Sequence, residues 1–255
     1  MIQTEIYQRV GYIILNRPEK RNALNSQMVQ DITEAMKEME KDENCKVVVF
    51  KANGEAFCAG ADLAYLQQLQ NFSYEQNLED SKQLMSLFSY VHHYPKITIS
   101  QVEGTALAGG CGLATLADFC FATPSSTFGY TEVKIGFIPA IVSVFLTQKI
   151  GENLAKSLLL TGKIISAVEA AQMHLISSVI DDNKIQDEVS NFAQKLSAQV
   201  SGDSILLTKE LLNNLAGKSL NEQLLLAAQY NAKARATNDC KKGIAAFLNK
   251  EKLSW

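Results

Sequence analysis

Short runs of β-branched and aromatic residues recur along the first 180 positions of this chain, and each is bounded by turn residues. They lie at 2–7, 10–16 (VGYIILN), 46–51 (KVVVFK), 96–102 (KITISQV), around 118–123, and 176–180 (ISSVI). Strands of this kind, alternating with helical patterns, argue for an α/β core with mostly parallel pairing. Ser26 can cap a helix in which Met28, Ile32, Met36 and Met39 recur at three- or four-residue spacing. A second helical run, Leu78-Leu84-Leu87-Val91, stops at Pro95, and a third over 137–149 opens on Ile138-Pro139. From 184 onward nearly everything reads helical. The expected organisation is a core over 1–182 and a helical region over 183–255, with Asp181-Asp182-Asn183 as the hinge.

Two segments are unusually bare. FCAGADL (57–63) and ALAGGCGLA (106–114) place small residues where a strand ends and a helix begins. Glycine inside an element costs roughly 0.5–1 kcal/mol relative to alanine, so such a stretch signals a use for the backbone itself. A helix start presents N–H groups without intrahelical partners, and missing side chains let a ligand oxygen approach them. Two such junctions side by side would form an oxyanion hole. Close packing of small residues accounts for one segment easily and for two less well. Neither segment matches the dinucleotide fingerprint, and Gly162-Lys163 lacks the remainder of a phosphate loop.

Composition narrows the function classes. The formal charge is −3, and no basic block is longer than the Lys20-Arg21 pair, which argues against nucleic acid as a partner. No apolar run reaches the ~18 residues of a membrane span, and MIQTEIYQR lacks the layout of a signal peptide, so a cytoplasmic protein without membrane attachment is expected. Five cysteines without CxxC pairs and three histidines without HExxH give no expected disulfide or metal site.

Taken together, NRPEKRNAL (16–24), GEAFCAGADL (54–63), VEGTALAGGCGLATLADF (102–119), FGYTEVKIGFIP (128–139) and LTGKIISAVEA (160–170) resemble the crotonase (enoyl-CoA hydratase/isomerase) superfamily along essentially the whole chain. The resemblance implies a spiral of repeated β-β-α units with a helical C-terminal trimerisation region, assembled as a homotrimer or a dimer of trimers. It implies an acyl-CoA thioester as substrate, with no cofactor beyond that coenzyme A. It also implies that the N–H groups of Ala61 and Gly109 bind the thioester oxygen as it becomes an enolate.

Two-carboxylate hydratases of this family carry a glutamate after GGC; here Gly112 stands in its place. The second family glutamate is present as Glu132, set between Phe128 and Ile135, where an apolar wall should raise its pKa and suit it to acid/base work. With one carboxylate, three chemistries remain open: hydration, double-bond isomerisation and decarboxylation. GCGLA, TEVKIGF and GFIPAIVSVFLTQKIGE (136–152) resemble the methylglutaconyl-CoA and carboxygeranoyl-CoA hydratase branch, which selects hydration. On this reading the space vacated at Gly112 takes the substrate's own carboxylate, held by N–H groups of the helix opening near Pro139.

Further contacts follow from the same resemblance. Lys20, Arg21 and Ala23 match the segment near the nucleotide end, and Lys250 matches a position reaching a 3′-phosphate. Ala59 and Asp62 flank the first donor, and Asp62 is also suited to cap the helix that follows. Asp118 reads as structural, and residues 64–82 read as a mobile lid over the acyl pocket. The rival classes are a non-catalytic or RNA-binding homologue, which would lose Glu132 or gain a basic face, and a serine hydrolase, for which no nucleophile elbow is present.

Overall fold

The β-branched runs become one sheet. The computed structural model describes all 255 residues, and in it β1 (Ile2–Tyr7), β2 (Val10–Leu15), β3 (Val47–Ala52), β5 (Ile97–Val102), β7 (Phe119–Ala122) and β10 (Ser178–Val179) lie side by side in that order. β1 is antiparallel to β2, and every other pairing in this sheet is parallel. β2 and β5 are buried along their whole length, as expected for strands covered on both faces.

A second sheet has no counterpart among the expected strands. β4 (Ala56–Cys58), β6 (Thr105–Leu107), β8 (Thr127–Gly129) and β9 (Ile164–Ser166) form it, each three residues long. The chain alternates between the two sheets. β3, β5 and β7 each pass to a short strand, β4, β6 and β8, and each short strand leads on to helix. After β4 come α2 (Leu63–Leu69) and α3 (Tyr74–His92); after β6 comes α4 (Gly109–Leu116); after β8 comes α5 (Ala140–Leu159). This alternation is the β-β-α spiral that the resemblance implies.

One hydrophobic core lies between the sheets and the helices, including α1 (Ser26–Lys41), α3, α4 and α5. A smaller one covers the other face of the large sheet, where Ile185, Val189 and Ala193 of α7 (Ile185–Gln199) meet Tyr12, Val49 and Ile99. Phe192 adds edge contacts to Phe119 and Phe121 at 5.1 and 5.3 Å. The expected hinge at 181–183 is the loop entering α7, and α7 itself closes this sheet face. α8 (Gly202–Leu215), α9 (Leu220–Ala236) and α10 (Asn238–Leu248) follow. Between α4 and β7, Asp118 accepts from the Thr98 amide at 2.8 Å and pairs with Lys209 of α8 at 2.6 Å, tying that helix to the sheet.

Local chemistry shifts some boundaries. Asn25, not Ser26, caps α1, its side chain accepting from the Met28 amide at 2.9 Å. Residues 64–82 are largely helical, in α2 and the start of α3, with Ser73 and Gln76 forming a reciprocal cap between them. Pro139 is the residue before α5 rather than inside its first turn. No helix is long and apolar enough to cross a membrane.

Candidate active site

The site grows out of the second sheet. After β4 the chain passes through Gly60, at φ +94°, a left-handed conformation that favours glycine. Leu24 lies alongside: its amide donates to the Gly60 carbonyl at 2.7 Å, and its carbonyl accepts from the Asp62 amide at 2.8 Å. Ala59 donates to the Arg21 carbonyl at 3.0 Å, while Ala61's own N–H has no backbone acceptor.

The matching half follows β6. Ala108, at φ 50° and ψ −127°, donates to the Gly129 carbonyl at 2.7 Å and turns the chain into α4. Gly109 is the first residue of that helix, and its N–H is likewise without a backbone acceptor. The two halves touch. A Cβ on Gly60 would lie 2.9 Å from Ala108 Cβ, and one on Gly110 would lie 2.5 Å from the Cys58 carbonyl oxygen. Small residues are therefore required both for ligand approach and for bringing the two junctions together.

Both donors line one cavity of about 350 Å³, together with Glu132, Ala59 and Pro139. Most of its wall is apolar, supplied by α2, α3 and the segment from Ile135 to Val142. Glu132 opens a single 3₁₀ turn, Glu132–Ile135, after β8. Its Oε2 is buried and has no hydrogen-bond partner, and burial pushes its carboxyl pKa above the ordinary value despite a bond to its own amide. Two residues earlier, Tyr130 is fully buried with its hydroxyl 3.2 Å from Thr115 Oγ1, anchoring the loop that carries Glu132. Two free amides and one protonatable carboxyl group around an apolar cavity can stabilise an oxyanion and move a proton beside it.

The sequence pattern described as Enoyl-CoA hydratase/isomerase matches residues 5–255. The chain belongs to the enoyl-CoA hydratase/isomerase family, within the crotonase superfamily. A Thermus thermophilus protein described as "Putative enoyl-CoA hydratase" is 42% identical over 250 residues, 98% of each chain. A "Probable enoyl-CoA hydratase" of Rhizobium meliloti is 34% identical over 252 residues, covering 98% of this chain and 96% of the other. Among solved structures, an enoyl-CoA hydratase from Shewanella pealeana superposes with a TM-score of 0.93 at 29% identity, over 100% of this chain and 95% of that one.

Not every expected site residue lines this cavity. Gly112 lies outside the cavity of the two donors and borders a separate one of about 270 Å³ beyond Val142. The expected vacancy there is absent: a Cβ on Gly112 would meet Val142 Cγ1 at 2.5 Å and Phe88 Cε2 at 2.8 Å. Apolar side chains from α5 and α3 stand where a side chain at 112 would begin, so Gly112 opens no space toward the cavity of the two donors.

The remaining candidates divide by location. Asp62 is 5% exposed; it accepts from the Ala64 amide at 2.8 Å, capping α2, and pairs with Arg17 at 2.6 Å. Burial alone would raise its pKa, but Arg17 and the α2 amides outweigh this and hold the carboxyl below its ordinary value. Ala23 is buried, whereas Lys20, Arg21 and Lys250 are exposed; none of these four lines the cavity.

Sequence reasoning passed over Asn22. It is fully buried at φ 53°, donates to the Ala56 and Asn53 carbonyls at 2.8 and 2.9 Å, and accepts from the Arg17 amide at 2.7 Å. It thereby sets Leu24 against Ala61. The available signal was an asparagine, a residue that tolerates the left-handed region, following Lys-Arg in a turn.

Proposed function

We propose that this protein hydrates an enoyl-CoA thioester using Glu132 as its sole acid/base. The thioester oxygen accepts from the Ala61 and Gly109 amides, which stabilise it as it gains charge. Glu132 takes a proton from water, the hydroxyl adds to Cβ, and the enolate is then protonated at Cα by the same carboxyl group. Water is thus divided across the former double bond, and Glu132 returns to its starting state. A carboxyl with a raised pKa serves both halves of this cycle.

The observation that carries this reading is the buried, unpartnered Glu132 Oε2 in the cavity that holds both free amides. Coenzyme A enters as part of the substrate, with no separate cofactor. Assembly as a trimer or dimer of trimers is supported by α9, which buries no residue of its own and leaves Leu220, Leu224 and Leu225 exposed.

The narrower reading, methylglutaconyl-CoA hydration in branched-chain catabolism, has its support in GCGLA and the 128–152 motifs. Gly112 does not open into the cavity of the two donors, so those motifs alone stand behind it. Double-bond isomerisation is favoured by the lack of a second carboxylate at 112, because one group suffices to carry a proton from Cγ to Cα. Incubation with a panel of enoyl-CoA thioesters separates the two readings. Hydration removes the conjugated-enoyl absorbance and adds the mass of one water; isomerisation leaves the mass unchanged, and its appearance alone would displace the hydratase reading.

A further inference from the structure

The cavity wall carries no lysine, arginine or histidine, but it carries two carboxylates, Glu132 and Asp80. Asp80 lies on α3, where the Tyr65 hydroxyl of α2 donates to its Oδ1. Beside it Ser26 Oγ donates to Gln83 Oε1 at 2.9 Å, so the same wall is also cross-linked to the start of α1. Asp80 takes part in no ion pair within the chain. Its charge is therefore fixed in place and is not cancelled by a neighbour.

We infer that Asp80, held by Tyr65, makes the cavity selective for thioesters with an uncharged acyl chain and excludes those whose acyl chain ends in a carboxylate. The inference rests on the acyl-CoA reading above and specifies its substrate class. A second carboxylate brought into this cavity meets half-buried Asp80 across a mostly apolar wall, where repulsion between carboxylates is stronger than in open water. The start of α5 at Pro139 offers the opposite influence, but a helix N-terminus amounts to about half a positive charge. The hydroxyl of Tyr65 cannot compensate, because it is already engaged by Asp80. An uncharged chain meets only the apolar wall and suffers none of this. Discrimination here comes from a repulsive element aimed at one class of ligand.

The test uses two saturated thioesters that cannot turn over, butyryl-CoA and glutaryl-CoA, titrated calorimetrically into the wild type, Asp80→Asn and Tyr65→Phe. Wild type should bind butyryl-CoA more tightly. Asp80→Asn keeps the shape and the acceptor for Tyr65 but loses the charge, and should shift the affinity ratio toward glutaryl-CoA about tenfold or more. Tyr65→Phe keeps the charge and should keep the preference for butyryl-CoA, which a merely structural role for the pair would not explain. Equal wild-type affinities, or an Asp80→Asn ratio equal to that of wild type, would overturn the inference. Binding of neither thioester would instead remove the acyl-CoA reading beneath it.

Discussion

The two sheets of this protein divide its labour. The middle of the six-stranded sheet, β2, β3 and β5, is rich in Val and Ile and buried on both faces, and its order is fixed by parallel pairing through the middle of the molecule. The four-stranded sheet has three-residue strands, and from their ends come Ala61, Gly109 and Glu132. One sheet supplies burial and the other supplies aim. Substitutions in the first should therefore be read in stability, and substitutions at the edge of the second in turnover.

Glu132→Gln should separate the two most widely. It should lower kcat by about 10²–10⁴-fold, the usual range for loss of a general acid/base, while acyl-CoA binding is retained. Stability should move the opposite way. The folded-state pKa of Glu132 is raised by burial, so the group's stabilising contribution is complete below its unfolded pKa and falls as pH climbs through the folded value. At neutral pH the glutamine, which needs no buried charge, should melt at or above the wild-type temperature. In the wild type, kcat/KM for hydration should rise with pH through an acid limb above the ordinary glutamate range. A limb at or below that range would detach Glu132 from the step.

Phe50→Ala tests the other sheet. Phe50 is fully buried at the centre of β3, and its truncation should cost about 3–5 kcal/mol in denaturant unfolding. Protein that remains folded should keep its kcat/KM. A large fall in turnover per folded molecule would mean that the two sheets are not separable.

Gly112→Ala lies between the two regimes. The added methyl meets Val142 and Phe88, so a loss of about 1–3 kcal/mol is expected. Combining it with Val142→Ala should recover part of that loss, and simple additivity of the two would show that the contact is not the cause. Asn25→Ala is the smallest change, about 1 kcal/mol from the lost α1 cap, with Ser26→Ala costing less.

The sequence was informative about these regions to unequal degrees, for a physical reason. VGYIILN and KVVVFK announce themselves because a doubly buried strand must be apolar throughout. AFC, TAL and TFG are too short to display a period, and their place is set by neighbouring backbone rather than by their own side chains. The bare stretches at 57–63 and 106–114 could still be read, since unused side-chain volume points to a role for the backbone. Glu132 stood out only through its resemblance to the family, because a lone carboxylate next to Thr131 has no local signature. Gly112 misled for the converse reason: deletion of a side chain in sequence looks like empty space, whereas Val142 and Phe88 come from distant positions to fill it. Asp80 and Tyr65 are 15 residues apart on separate helices, and no spacing rule joins them.

The contact between Gly60 and Ala108 fixes more than a fold detail. The loops bearing the two free amides rest on each other there, so the gap between the donors is set like the jaws of a locked calliper, by atomic radii. Neither jaw can be re-aimed alone: a methyl at 60 would prise both from their setting, with no soft side chain in between to absorb the change. On the function proposed above, adaptation of this chain to a new thioester is thereby channelled away from the oxygen's seat and into the helices α2 and α3, where the wall can vary while the gauge stays constant.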